Sequence, residues 1–279
     1  MLDQHSVTWR LAGDARLLPF LGTAFLLQAA HPTIAAGVAD HSNFKVDPFG
    51  RFQQSWGRVL EVVYAADGDR VGAEVRGYHK QIKGTKPDGT SYHAYEPEAY
   101  FWVLASGYEA LVVAAQRFMR PLAPGERRRF YDEMREVGRR FGLRDRDMPT
   151  TLAEFDDWYG WVLAERIEDS DTVRDVLATI RRPNPPGGVP ELAWRLPRPI
   201  VSRFGWLTTI GALPAPVRGR LGIPWGRADE AQLAVIARAF KALNRAPASW
   251  FYLPPAREAF ARTNGPLVPD AVPEDLVAA

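Results

Sequence analysis

The sequence predicts an all-α protein, a single-domain helical bundle with at most one small hairpin. Three observations point there. Apolar residues recur almost everywhere at the spacing of an amphipathic helix and almost nowhere with the alternation of a strand. The 23 prolines stand where helices would begin or end, several directly after a capping residue. The balance of 46% hydrophobic against 24% charged residues over 279 positions is that of a packed chain, long enough to bury roughly three quarters of its unfolded surface without covalent staples.

The elements follow in order. Asp14 caps a first helix running through Ala30, which His31-Pro32 interrupts because the residue before proline is pushed out of the α region. A short helix restarts at Pro32. Asp47-Pro48, a capping carboxylate with proline at the first helical position, opens a helix to about Tyr64. Beyond the Asp67-Gly68-Asp69 break, Val71, Val75, Tyr78 and Ile82 form an i, i+4, i+7, i+11 stripe, giving a helix from Asp69 to Lys83 ended by Gly84. The turn Lys86-Pro87-Asp88-Gly89 lets Gln81 to Thr85 pair with Ser91 to Tyr95, at the expense of that helix's last turn. Glu96-Pro97 opens a helix to about Phe118, apolar on nearly every face and therefore central.

In the second half, an arginine-rich amphipathic helix runs from Pro124 to Phe141 and is closed by Gly142. Thr151 and Glu154 make a capping box for the next helix, and Ser170 to Arg182 forms another. Pro183 to Pro190, with adjacent prolines and Gly187-Gly188, reads as a surface loop of about eight residues within one domain spanning 1–279. Helical patterns return at Glu191 to Trp194, Ile200 to Ile210 and Glu230 to Leu243.

Composition removes several functions. Lys plus Arg total 35 against 33 Asp plus Glu, a net charge of +2, too small for a dedicated nucleic-acid binder. The basic run Arg127 to Arg129, with Arg135, Arg139, Arg140, Arg144 and Arg146, is interleaved with acids and reads as a solvated mixed-charge face. The absence of Cys excludes disulfide scaffolds, thiolate metal sites and Cys nucleophiles. The apolar stretch Leu17 to Leu27 is about half the ~20 residues of a spanning helix. With no basic start or A-x-A site near it, the expected location is cytoplasmic. No H-x-x-x-H, H-E-x-x-H, G-x-S-x-G, P-loop or G-x-G-x-x-G motif occurs.

The five histidines carry what chemistry remains. His5 and His93 fall in a terminus and the hairpin and read as solvated. His31 and His41 bracket the short helix from Pro32: either His31 caps neighbouring backbone, or the two join Asp40 or Asp47 in a non-haem iron triad. His79 lies beside an apolar stripe, so its ring must either donate to a backbone carbonyl or bind something. Gly72 and Gly77 on the same helix remove bulk in a way that would let a flat cofactor approach, each at a cost of about 1 kcal/mol relative to Ala. On the helix after Asp47-Pro48, Arg51, Ser55 and Arg58 share one face among Phe52, Trp56, Val59, Leu60 and Val63. They are either a solvated face or donors aimed into an internal cavity.

The segments WRLAGD from Trp9, LLQAAHP from Leu26, AAGVADHS from Ala35, DPFGRFQQS from Asp47 and YHKQIKG from Tyr78 resemble the MpaB/rubber-oxygenase (latex-clearing protein) family. Tyr92 to Pro97, the Trp102-Val103 pair, Leu143 to Pro149 and Leu213 to Trp225 continue the likeness over most of the chain. The resemblance implies an internal cavity for haem b and oxidative cleavage of carbon–carbon double bonds in an apolar isoprenoid or lipid-like substrate. Carried over by motif, His79 would bind the haem iron, and Arg51 and Ser55 would be catalytic on the oxygen side. The haem propionates would find their partners among Arg58, Arg76, Lys80 and Lys83, of which Arg58 and Arg76 are the expected pair. The implied partners are a small apolar substrate, lying against Phe52, Trp56 and the Tyr100 to Leu111 helix, and dioxygen; charge and the length of the apolar runs, not the likeness, give the expectation of no nucleic acid and no transmembrane segment. One departure matters: latex-clearing enzymes carry an iron-ligating Lys where this chain has Gln54, whose amide ligates iron poorly, so the distal site should be open or water-bound. The alternatives are a non-enzymatic haem- or lipid-binding protein and a family member whose haem site has decayed.

Overall fold

Prolines and capping carboxylates set most helix boundaries in the computed structural model, which describes residues 2–42, 44–86 and 88–263. The turn residue Pro87 and the end of the expected domain, 264–279, lie outside them. The helices in order are α1 (Val7–Ala12), α2 (Leu21–Ala29), α3 (Pro32–His41), α4 (Pro48–Tyr64), α5 (Gly68–His79), α6 (Pro97–Phe118) and α7 (Pro124–Arg140). They continue with α8 (Leu152–Glu165), α9 (Asp171–Arg181), α10 (Glu191–Trp194), α11 (Arg198–Gly211), α12 (Ala215–Arg220), α13 (Arg227–Leu243) and α14 (Pro254–Arg262). The only sheet among the described residues is an antiparallel pair, β1 (Lys83–Thr85) with β2 (Ser91–His93). The protein is all-α, as its sequence predicts.

Several boundaries differ from expectation. The helix expected from Asp14 to Ala30 is two: Asp14 accepts from the Arg16 amide and starts a 3-10 helix, Ala15–Phe20, which contains Pro19, before α2 takes over. Proline lacks the N–H that a continuous α-helix would need there. Helix α5, by contrast, gives up its last turn to the hairpin as expected, stopping at His79: Ala94 N–H donates to Ile82 C=O at 2.9 Å and Lys83 pairs with His93. Helix α13 starts at Arg227, three residues before the expected start, because the Asp229 carboxylate accepts from Gly226 N–H. Helices α1, α12 and α14 are not among the expected elements; α1 and α12, at six residues each, are too short for a periodic signal.

The buried, aromatic-rich helix α6 runs through the centre, with Trp102 donating to Leu27 C=O at 3.1 Å. Two apolar clusters meet on it: one gathers α2, α6, α8 and α11, the other α1, α4, α5 and α14, and Trp56, Tyr100 and Leu104 pack against both. The chain ends of the described body are tied together: Ala15 N–H donates to Phe251 C=O and Leu253 N–H to Gly13 C=O, while Trp9 packs edge-on against Tyr64 and Phe260. The loop 183–190 is held to the surface by Asn184, which donates to Lys45 and Val46 carbonyls. Among the described residues no single helix is long and apolar enough to cross a membrane, and the apolar pair Ala15–Ala29 and Pro32–His41 is bent by 101°.

The arginine-rich helix α7 is neutralised as its interleaved acids suggest. Arg127 pairs with Glu109 and Asp156, Arg129 with Glu133, Arg135 with Asp145, and Arg139 with Glu136 and Asp145. The exposed pairs contribute little individually. The buried Glu126 is different: Arg10 and Arg120 both donate to it.

Candidate functional site

The site is built on two antiparallel helices. Pro48 and the Asp47 cap start α4, the Ala65 to Asp67 turn reverses the chain, and α5 packs back beside α4. His79 is the last residue of α5 and Ser55 lies within α4, about 16 Å and about 14 Å along their helices from that turn at 1.5 Å per residue. At the surface Arg58 of α4 reaches α5, its guanidinium lying 5.8 Å from the ring centroid of Tyr78, which is 62% exposed, while Val59 and Val63 of α4 cluster with Val71 and Val75 of α5.

His79 is half-buried, and its Nδ1 is 2.8 Å from the Val75 carbonyl oxygen one turn earlier. A carbonyl can only accept, so Nδ1 donates to it, and Nε2 is the nitrogen whose lone pair a metal could take. Of the two readings of this residue in the sequence, the structure shows the bond to a backbone carbonyl, and it leaves the other ring nitrogen without a protein partner. Tyr100 of α6 flanks the ring edge-on at 6.0 Å. The Val75 carbonyl is a partner that the sequence could have suggested, because i−4 is the carbonyl a terminal helical side chain reaches.

The arginines are held in different ways. Arg51 donates to the Gln54 side-chain oxygen at 3.0 Å, a neutral partner, and among the described residues it forms no salt bridge. Arg58 pairs with Glu61 at 2.6 Å. Arg76 donates to the Gly142 carbonyl at 2.9 Å and lies over Tyr95, whose hydroxyl returns a bond to the Arg76 carbonyl. Arg76 thus serves the joint between α5, the hairpin exit and the end of α7, and would have to leave Gly142 to meet a propionate.

The floor beside these helices is apolar and incompletely filled. Val103, in the middle of α6, is 40% exposed, and a Cβ on half-buried Gly107 one turn later would meet nothing within 4 Å. Gln28 of α2 donates to Val103 C=O and Ser106 Oγ beside it. Across from α2, Phe52 of α4 meets Phe25 with ring centroids 5.7 Å apart. The indole nitrogen of Trp56, next to Ser55, is buried without a hydrogen-bond partner, which is costly unless something polar meets it. A nitrogen ligand with a fixed tautomer, a solvent-open apolar floor and an orphaned donor fit a large flat, mainly apolar group carrying iron.

The glycines on α5 divide. A Cβ on Gly72 would overlap the Arg140 carbonyl and lie 2.6 Å from its carbon, so Gly72 serves the close approach of α5 to α7 rather than a cofactor. A Cβ on Gly77 meets nothing within 4 Å. Gly72→Ala should therefore cost about 1–3 kcal/mol from overpacking against rigid backbone. Gly77→Ala should add up to about 1 kcal/mol from helix propensity. Thermal unfolding of the two variants checks the opposite signs.

Other expectations fail. His31 is the N-cap residue of α3 but its ring makes no capping bond; it is buried, with both nitrogens lacking hydrogen bonds, 3.4 Å from Glu98. Burial lowers its pKa, against the raising pull of Glu98, so it is held towards the neutral form. His41 stands at the opposite end of α3, about 15 Å away along the helix. Among the described residues no group of three or more His, Cys, Asp or Glu stands together to hold a bare metal ion, so the non-haem iron triad is not assembled. His93 accepts from Tyr95 N–H in the hairpin.

A family model described as ER-bound oxygenase mpaB/B'/Rubber oxygenase, catalytic domain, matches residues 9–242, which include α4, α5 and α6 but not α14. Two relatives, described as uncharacterized proteins of Mycobacterium bovis and Mycobacterium tuberculosis, are each 24% identical over 213 residues, covering 74% of this chain and 80% of the relative. No solved structure matches the chain significantly.

Proposed function

The chain belongs to the mpaB/rubber oxygenase family of catalytic domains, and from that premise we propose that it is a haem-b-dependent oxygenase acting on an apolar, unsaturated isoprenoid or lipid-like substrate, with oxidative C=C cleavage as its reaction. The observation that carries the reading is the His79 tautomer: Nδ1 is committed to the Val75 carbonyl, leaving Nε2 as a donor to iron. Haem, when bound, supplies activation of dioxygen, which these side chains cannot perform themselves.

The chain's own residues do the rest. The Val75 carbonyl orients the imidazole and raises its basicity. Arg51, held by a neutral amide, keeps its full positive charge to stabilise negative charge developing on oxygen, and the Ser55 hydroxyl adds a neutral donor. Gln54 holds the Arg51 guanidinium through its side-chain oxygen, and its amide would ligate iron poorly if haem were bound. Arg58, whose one salt-bridge partner among the described residues is the exposed Glu61, is the better placed of the two expected arginines to meet a propionate. Phe52, Trp56, Val103 and Leu104 supply apolar wall for a substrate. Cytoplasmic residence remains part of this proposal.

The test is the absorption spectrum of the protein reconstituted with haem, beside His79→Ala prepared identically. A Soret band in the wild type that is lost in the variant is the expected result. A wild type that takes up no haem, or a band untouched by the variant, would overturn the assignment of His79 and with it the haem chemistry.

A further inference from the structure

Away from this site, α10 and the start of α11 present an unusual surface. Leu192, Leu196 and Ile200, spaced at i, i+4 and i+8, are 75%, 86% and 75% exposed. The exposure is not that of a loose segment. Trp194 is turned inward, 7% exposed, donating its indole N–H to Pro183 C=O at 2.8 Å and meeting Phe49 edge-on. Fixing Trp194 inward forces Leu192 and Leu196 outward. Such exposed positions are normally polar, and three large apolar residues left outside on α10, the turn 195–197 and the start of α11 mark a contact surface.

The same segment borders an open cleft of about 850 Å³ lined by Arg181, Arg182, Arg195, Arg198 and Arg203. The acids facing these arginines are Glu191, paired with Arg198, and Asp229, paired with Arg203. Five arginines against two carboxylates leave a local excess of positive charge. Among the described residues neither Arg182 nor Arg195 forms a salt bridge, and Arg181 lies over the Trp206 ring at 4.4 Å.

We propose that this face docks the protein on a membrane surface bearing anionic phospholipid. Leu192, Leu196 and Ile200 enter the boundary between headgroups and acyl chains, and the arginine cleft takes the headgroup phosphates. The pairing is the charge and apolar complement of such a surface: an apolar helical stripe flanked by unneutralised arginines lies in the interface plane, anchored by buried apolar area and by attraction to anionic lipid together. A soluble protein partner would need a complementary acidic and apolar groove, and nothing in the cleft selects one. The inference does not depend on the catalytic reading, and its test needs no turnover.

The experiment is co-sedimentation of the full chain with vesicles of phosphatidylcholine alone and with vesicles in which about a third of the lipid is phosphatidylserine. The protein is expected to sediment with the anionic vesicles, and added salt should weaken the association. Leu196→Asp, and separately the pair Arg182→Glu with Arg195→Glu, should each weaken binding about tenfold or more. These positions are exposed, so thermal unfolding like the wild type's will show that the variants fold. Failure to bind anionic vesicles, or binding that neither variant alters, would overturn the proposal. So would a lipid-free dimer abolished by Leu196→Asp, which assigns the stripe to a second copy. Stabilisation by inorganic phosphate without vesicle binding would likewise overturn it by assigning the arginines to a free anion.

Discussion

Arg51→Ala is expected to lower oxygen-dependent turnover of an unsaturated isoprenoid substrate by about 100- to 1,000-fold, the usual effect of removing one preorganised donor from developing negative charge. The reason lies in how Arg51 is held. Most arginines on this protein are matched by a carboxylate, as along α7, and a paired guanidinium has its charge already spent. Arg51 is held at 3.0 Å by the Gln54 amide oxygen instead, which orients it without cancelling its charge. The loss should fall on kcat, with substrate KM and the cofactor spectrum preserved, because the interaction is made in the transition state. Arg51→Lys should recover part of the rate, having the charge without the planar fork. Gln54→Ala should cost no more than about tenfold, since it removes orientation but not charge. If Arg51→Ala also lost the cofactor spectrum, Arg51 would be a binding residue and its catalytic role would fall.

Glu126→Ala is expected to destabilise the fold by about 3–5 kcal/mol, the range for removing one partner from a buried ionic network. Its carboxylate is 1% exposed and receives bonds from Arg10 at 2.6 Å, from both Arg120 nitrogens at 2.6 and 3.0 Å, and from the Ala123 amide at 3.0 Å. Burial alone would raise its pKa, but the bonds from Arg120, the Ala123 amide and Arg10 outweigh burial and hold it at about 2, below the ordinary 4.5. Because the folded value is depressed, the stabilisation is complete above about pH 4.5 and is lost as pH falls towards 2. At about 1.4 kcal/mol per unit the shift corresponds to about 3 kcal/mol. Glu126→Gln should therefore differ most from the wild type at neutral pH, and the gap should close between pH 4.5 and 2 in denaturant titrations. A gap independent of pH over that range would show that packing, not charge, is what the variant loses.

The site helices were legible because their signals are local. Asp47-Pro48 starts α4, the 67–69 break separates α4 from α5, and 3.6-residue periodicity then places Arg51, Ser55 and Arg58 on one face and His79 beside the apolar stripe. The hairpin was legible from its turn, and with it the shortening of α5. Other elements depend on distant partners. The 3-10 turn after Asp14 sits against Phe251 and Leu253, more than two hundred residues away, and no window of sequence contains that information.

The chain by itself determined the helical class, the order and approximate limits of the long helices, and the residues that a family likeness then singled out. Only the tertiary structure separated two glycines that look alike in sequence, one jammed against the Arg140 carbonyl and one facing open space. It alone showed that His31 is buried without capping anything, that Arg76 is committed to Gly142, and that Leu192, Leu196 and Ile200 are left outside the core. The division has one physical cause. Caps, turns and periodicity act over a few residues and are written where they act, whereas burial, close approach and charge pairing depend on which surfaces meet once the chain has closed on itself.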